Sequence, residues 1–373
     1  MLLYNDHNPP HFHANYGEYK VFRVKQKINM KKSILQLLLL SIIIPTIGQS
    51  QNKKAIKEIR NIIDSHDLIL FSEGKFTKGI CSLHGSNRIQ SLDHNLFVQE
   101  IPSRENCTAF LLCDHEVTVK EYLDFIFQVS GKENINQIQK GQFYSFVLNH
   151  KKLTIDIIPS ISFMAKKEKV YLIDDTYSEF PIIGINWLQA NAYIHWLNQK
   201  LSNIKSEINL SDKSIKFILP NSEQWEYAAT IYKDNKGNKE KIREMKYYPF
   251  DGFELTDEKG HYKANFGNIT TEFGVRLKPL PSEGFSQIKP TKSFNSYNDL
   301  YDMAGNVSEW TATKISNEDY SGVIVKGGSF VSPPIYMQNG VHQLYNETHQ
   351  SNEIGFRIGL ILNEDLMKIL EFK

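Results

Sequence analysis

Three cysteines and twelve histidines are the side chains with which this 373-residue chain could hold a soft metal or form a covalent bond. Three cysteines cannot complete a four-cysteine zinc site or a disulfide scaffold. Cys107 and Cys113 lie in sequence that reads as a strand. If straight, such a segment separates them by ~20 Å. That is too far to chelate one ion, and a disulfide needs Cα atoms within ~7 Å. A bend between them would make a disulfide possible. Cys81 stands alone upstream. His7, His11 and His13 have metal-like spacing, but no core surrounds them to fix a geometry. His115 and Glu116 read as strand residues, His195 sits alone on a helix, and His261, His342 and His349 are scattered. No triad of two histidines and a carboxylate for non-haem iron can be assembled from them.

Oxygen donors cluster better. Asp302 and Glu309 flank a tight Ala-Gly-Asn turn, and Glu223 and Glu226 occur in EQWEYAA beside Trp225 and Tyr227. A buried carboxylate needs a charge or hydrogen-bond partner to remain ionised. Arg357 offers a planar fork for such a carboxylate or for backbone carbonyls. Gly327 and Gly328 allow backbone to approach where a side chain would clash. These features favour structural roles over catalytic ones.

The elements that must position these groups belong to an α+β, loop-rich chain. Apolar residues make up 41% and charged residues 23%, so a core forms. Lys+Arg 43 against Asp+Glu 42 argues against a nucleic-acid binder. Residues 51–67 place Ile56, Ile59, Ile62 and Ile63 at helical spacing, followed by a lead-in of short strands to residue 100. Residues 109–119 read as a buried strand. A helix follows, with Tyr122, Phe125, Ile126 and Val129 on one face and Gly131 as its stop. Residues 132–178 read as an insertion with one or two hairpins. A helix from Trp187 carries Ala190, Tyr193, Ile194 and Leu197, and another after Pro220 is capped by Asn221 or Ser222. Residues 231–300 are mostly loop, and residues 362–373 are a tail.

Residues 30–50 have the layout of a secretory signal peptide. Lys31 and Lys32 are the positive region, Ile34 to Ile44 the apolar region, and Gly48 and Ser50 the small residues before Gln51. No cysteine stands at the cleavage point for a lipid anchor. Residues 1–29 precede the signal, which marks them as a fused or spurious upstream fragment with Met30 as the start. Within them, HNPPHFHANYGEY resembles the PPHFH-x-x-YGEY signature of a small bacterial family of unknown function. Export places the mature chain in the periplasm or outside the cell, with no membrane span once the signal is removed.

Six blocks occur in fixed order: EVTVKEYLDF, PIIGINWLQANAYIHWLN, LPNSEQWEYAA, LYDMAGNVSEW, VKGGSF and GFRIGL. Their order over residues 101–361 resembles the formylglycine-generating enzyme family, the sulfatase-modifying-factor domain. The resemblance implies a fold related to C-type lectin-like domains. It also implies two calcium sites. One would use the Asp302 and Glu309 side chains with the Gly305 and Val307 carbonyls. The other would use Asn265 and Glu283 with the Phe266 and Phe285 carbonyls. Glu283 departs from the shorter Asp more usual in the family.

Active members resembling this chain bind Cu(I) through two cysteines after the GGS motif. Here Ser332 and Met337 occupy those positions, and Ser329 retains the motif serine. A hydroxyl is a poor ligand for Cu(I), and one thioether does not replace two thiolates. Copper is therefore not expected. The resemblance then implies an exported, non-catalytic module that holds a protein or glycan partner. Gliding-motility and secretion-machinery lipoproteins of the Bacteroidetes type resemble it in domain. The alternative is an oxidoreductase of the formylglycine-generating or iron-dependent type with altered ligands.

Overall fold

The isoleucines spaced along residues 56–63 do form a helix, α1 (Gln49–Ser65), which buries Ile59 and Ile62. The computed structural model describes residues 49–80, 90–92, 95–99, 102–132, 141–160, 171–172, 174–207, 215–233, 240–242, 246–267, 287–316 and 321–371. The upstream fragment with His7, His11 and His13, most of the signal-peptide segment and Cys81 lie outside these residues. Gln49 and Ser50, read as its last two residues, are the first of α1. Among the described residues, no helix is long and apolar enough to cross a membrane.

Two sheets organise the described chain. The first has four antiparallel strands in the order β1 (Leu68–Phe71), β6 (Phe110–Cys113), β16 (Gly359–Leu362), β9 (Ile215–Ile218). β6 is Phe-Leu-Leu-Cys with all four residues buried, as an unbroken apolar run between two neighbours requires. The second sheet runs β15 (Ile354–Gly355), β12 (Ser308–Ser316), β13 (Ser321–Lys326), β14 (Val341–Tyr345), β4 (Asn95–Gln99), β3 (Gln90–Leu92). Only β15 is parallel to its partner, β12. Three two-stranded pairs complete the set. They are β2 (Gly74–Lys78) with β5 (Ser103–Cys107), β7 (Phe143–Leu148) with β8 (Lys151–Asp156), and β10 (Ile231–Lys233) with β11 (Glu240–Ile242). The β7–β8 pair is the hairpin expected within residues 132–178.

Helix α2 (Val119–Ser130) starts from a capping box in which Thr118 and Glu121 satisfy each other's backbone N–H groups. It ends at Gly131, whose φ of 65° is left-handed. Its face packs on α3 (Trp187–Glu207) through rings. Tyr122 stacks on Tyr193 at 5.7 Å, and Phe125 tilts against Trp196 at 5.4 Å. Phe356 meets Tyr193 edge-on at 5.4 Å. Such edge and offset contacts add to the area term of burial, which explains the use made of the chain's many aromatics. α4 (Ser222–Thr230) is capped by Asn221, with Gln224 closing the box.

Three expectations are corrected. The stretch 51–100 is no lead-in outside the domain, because β1 pairs with β6 and Ile59 and Ile62 join the main core. The end of the chain is no tail. Leu362 closes β16, and α5 (Glu364–Glu371) buries Leu366 and Met367. His115 and Glu116 are not strand residues. β6 stops at Cys113, and the chain bends so that Thr118 can cap α2. Local capping there outcompetes continuation of the strand. Among the described residues of 231–300 the strands are β10 and β11, in keeping with the mostly looped reading of that span.

Candidate functional site

Three loop segments that lie far apart in sequence meet around Asn306. Asn306 sits in left-handed backbone at φ 60°, next to Gly305 at φ 76°. Gly305 is required there, since a Cβ would lie 1.9 Å from the Asn265 carbonyl oxygen. The Asn306 N–H donates to that carbonyl at 2.7 Å, and its side-chain amide donates to Glu116 at 2.7 Å. Its side-chain oxygen accepts from Lys289 N–H and from the Asn265 amide. Glu116 also accepts from Val307 N–H at 3.0 Å. Burial, with the Asp302 and Glu309 carboxylates nearby, pushes the Glu116 pKa well up.

Beside this junction, Glu309 is clasped by Arg357. The guanidinium donates to one carboxylate oxygen at 2.6 Å and to the other at 2.7 Å. Trp225 Nε1 donates to Glu309 at 2.8 Å. Arg357 also reaches the carbonyls of Cys113 and Tyr301. Burial works against its charge, but Glu309 holds its pKa above the ordinary value. The fork thus meets both the carboxylate and the carbonyls foreseen for it. Glu226 accepts from Gly79 N–H and from Lys326 Nζ, and Glu223 pairs with Lys78.

The calcium donors divide. In the first set, Asp302 and Glu309 are near enough for Glu309 to raise the pKa of Asp302, which burial chiefly pushes up to about 6. Glu309 already has three donors on its two oxygens and a buried guanidinium in contact. That side chain does not fit a further dication. In the second set, Asn265 is fully buried and its side-chain oxygen has no hydrogen-bond partner. An orphaned amide oxygen suits a hard cation, and Phe266 follows it directly. Glu283 and Phe285 lie outside the described residues.

The segment after the Gly-Gly pair is built from oxygen and hydrocarbon. Gly327 and Gly328 are left-handed at φ 93° and 66°, and they turn β13 into this loop. A Cβ on Gly327 would stand 3.2 Å from the Met303 carbonyl. Ser329 N–H donates to the Ser332 hydroxyl at 2.9 Å, and the two hydroxyls are 2.9 Å apart. Ser329 also donates to Glu353 at 3.1 Å, whose pKa burial pushes up. Met337 is fully buried, in a cluster with Tyr248, Phe250, Ala264, Phe266 and Ala304. The residues at the two would-be thiolate positions therefore do not fit Cu(I).

The remaining candidates serve locally. Cys107 and Cys113 lie on strands of different sheets and share no disulfide. His195 bonds to Tyr144, His349 stacks on Tyr345, and His261 faces Asp257. Glu353 was missed by sequence reasoning. Nothing in Ser-Asn-Glu-Ile marks it, because its partner Ser329 is supplied by a different loop.

The chain belongs to the sulfatase-modifying factor enzyme 1-like domain family, whose model matches residues 56–360. It is 26% identical over 155 residues to inactive C-alpha-formylglycine-generating enzyme 2 of Bos taurus, covering 41% of this chain and 39% of that protein. The Mus musculus protein of the same name is 21% identical over 239 residues, covering 58% and 66%. Serine/threonine-protein kinase Pkn1 of Chlamydia trachomatis is 22% identical over 270 residues, covering 72% and 31%. The chain thus spans less than two thirds of each relative. Among solved structures it is similar to PvdO from Pseudomonas aeruginosa at 16% identity and TM-score 0.45, covering 79% of this chain and 94% of that one.

Proposed function

We propose that the protein is an exported, non-catalytic member of its family that uses the scaffold to bind a protein or glycan partner. The observation that carries this reading is the pair Ser332 and Met337. One is a hydroxyl tied to Ser329, and the other is a thioether sealed in a hydrophobic cluster. Neither supplies the soft anionic sulfur that Cu(I) selects. The similarity to mammalian relatives named as inactive supports the same reading. Export rests on the signal-peptide layout of residues 30–50.

The test is direct. Purified residues 51–373 are reconstituted with Cu(I) under oxygen and mixed with a cysteine-containing sulfatase-motif peptide. Mass spectrometry is expected to show no cysteine-to-aldehyde conversion above a metal-free control. Conversion by the folded protein would transfer it to the oxidoreductase reading.

Calcium belongs to the proposal as a structural ion on the Asn265 side, with Phe266, Glu283 and Phe285 completing the set. A ligand that binds only the native state at 100 times its Kd stabilises by about 2.7 kcal/mol. Adding calcium to chelator-treated protein is therefore expected to raise Tm by several degrees, and Asn265→Leu to abolish the response. Identical melting with calcium, magnesium or chelator would remove the ion from the account.

A further inference from the structure

We infer that Cys113, Asp114 and His115 form a binding site for a thiophilic divalent transition-metal ion of the zinc class. The three side chains stand where β6 ends and the chain bends toward α2. One ligand atom from each lies within 4.8 Å of the others, and among the described residues no other group of three such side chains does so. The donor set is one sulfur, one imidazole nitrogen and one carboxylate oxygen. Sulfur selects against calcium and magnesium, and the mixture suits zinc.

The sulfur-to-nitrogen distance agrees with chelation. Cys113 Sγ is 3.4 Å from His115 Nδ1. Bond lengths of about 2.3 Å to sulfur and about 2.05 Å to nitrogen at a tetrahedral angle give a separation of roughly 3.5 Å. The Asp114 oxygen is 2.5 Å from the same nitrogen, a contact shorter than two ligands of one ion make, so an ion would replace the shared proton and part the two groups.

An independent feature lies on the far side of the imidazole. His115 Nε2 faces Glu121 at 3.6 Å. Glu121 is itself fixed by the Thr118 N–H and hydroxyl at 2.8 and 2.9 Å. With an ion in place of the proton that Asp114 shares at Nδ1, the Glu121 carboxylate would favour a proton at Nε2 and turn the Nδ1 lone pair to the metal. Metal-binding histidines are generally held in this way.

A cation already lies at the mouth of the cluster. Lys292 Nζ is 2.8 Å from Asp114 and 2.9 Å from Asp67. Its side chain is 33% exposed, so it can swing toward Asp67 and solvent and open a path for an ion. Arg357 touches only the carbonyl of Cys113 here, and its charge is matched by Glu309.

The probe is Co(II), titrated anaerobically into metal-free, reduced protein with absorption recorded. The expected result is one equivalent bound, with a thiolate-to-cobalt charge-transfer band and tetrahedral d–d bands, both displaced by Zn(II). Cys113→Ser is expected to lose the charge-transfer band. Lys292→Gln, which removes the competing cation, is expected to tighten Co(II) binding at least several-fold. Absence of a charge-transfer band in folded wild-type protein overturns the proposal, as does its persistence in folded Cys113→Ser, which would assign it to another cysteine. If Cys113→Ser does not fold, Lys292→Gln decides alone, and unchanged affinity overturns the proposal.

Discussion

Arg357→Met is expected to lower folding stability by about 3–5 kcal/mol, the cost of leaving a buried charge without its partner. The guanidinium is fully buried and donates to Glu309, Cys113 and Tyr301. Methionine fills similar volume but supplies none of those donors. Glu309 would keep only the Trp225 N–H among its present side-chain donors. Two carbonyls on separate segments would lose a donor at the same time. Urea unfolding of purified residues 51–373 measures the effect as a fall in midpoint at constant slope. Arg357→Lys is expected to recover little, because a point charge cannot reproduce the two-pronged contact. Adding Glu309→Gln to Arg357→Met should return part of the loss by neutralising the orphaned carboxylate. A single-variant loss below about 1 kcal/mol would show that the clasp is dispensable.

The second large effect is expected at Lys326. Its side chain and that of Glu226 are both fully buried and 2.9 Å apart. Lys326→Met strands the Glu226 carboxylate beside the Gly79 N–H and removes a donor from the Asn339 carbonyl. A loss of about 3–5 kcal/mol is expected. Lys326→Met with Glu226→Leu removes both charges, and such replacements are often neutral or stabilising. The double variant is therefore expected to be more stable than Lys326→Met alone. A double-mutant cycle by chemical denaturation reads the coupling. If the double variant is the less stable of the two, contacts other than the ion pair hold α4 against β13.

Much of the scaffold could be read in advance because its signals are local. The α2 face, the Gly131 stop and the Asn221 cap each depend on residues within a turn or two of each other. Arg357 was legible as a fork, since few other roles suit a guanidinium inside an apolar block. Its partner was not, because nothing in the chain order links residue 357 to residue 309. The same applies to Glu353 with Ser329. The bend at His115 was missed for another reason. A buried apolar strand runs straight into a capping box, and the apolar pattern alone does not mark which of the two signals takes over. Once the bend is placed, Asp114 and His115 fold back on Cys113, and a cluster appears that no spacing rule for strands would suggest.

The position of β16 carries a kinetic consequence. Its residues, Gly359–Leu362, lie between β6 and β9 in the first sheet, so the inner pairings of that sheet wait for a strand synthesised long after both. Until then β6 and β9 each lack a neighbour, and the four apolar residues of β6 have only β1 beside them. Contacts of such long sequence separation form slowly. A nascent chain that cannot close its core early stays extended and open for longer. The same delay leaves hydrophobic strand edges open to one another, so that pairing between chains competes with closure of the sheet.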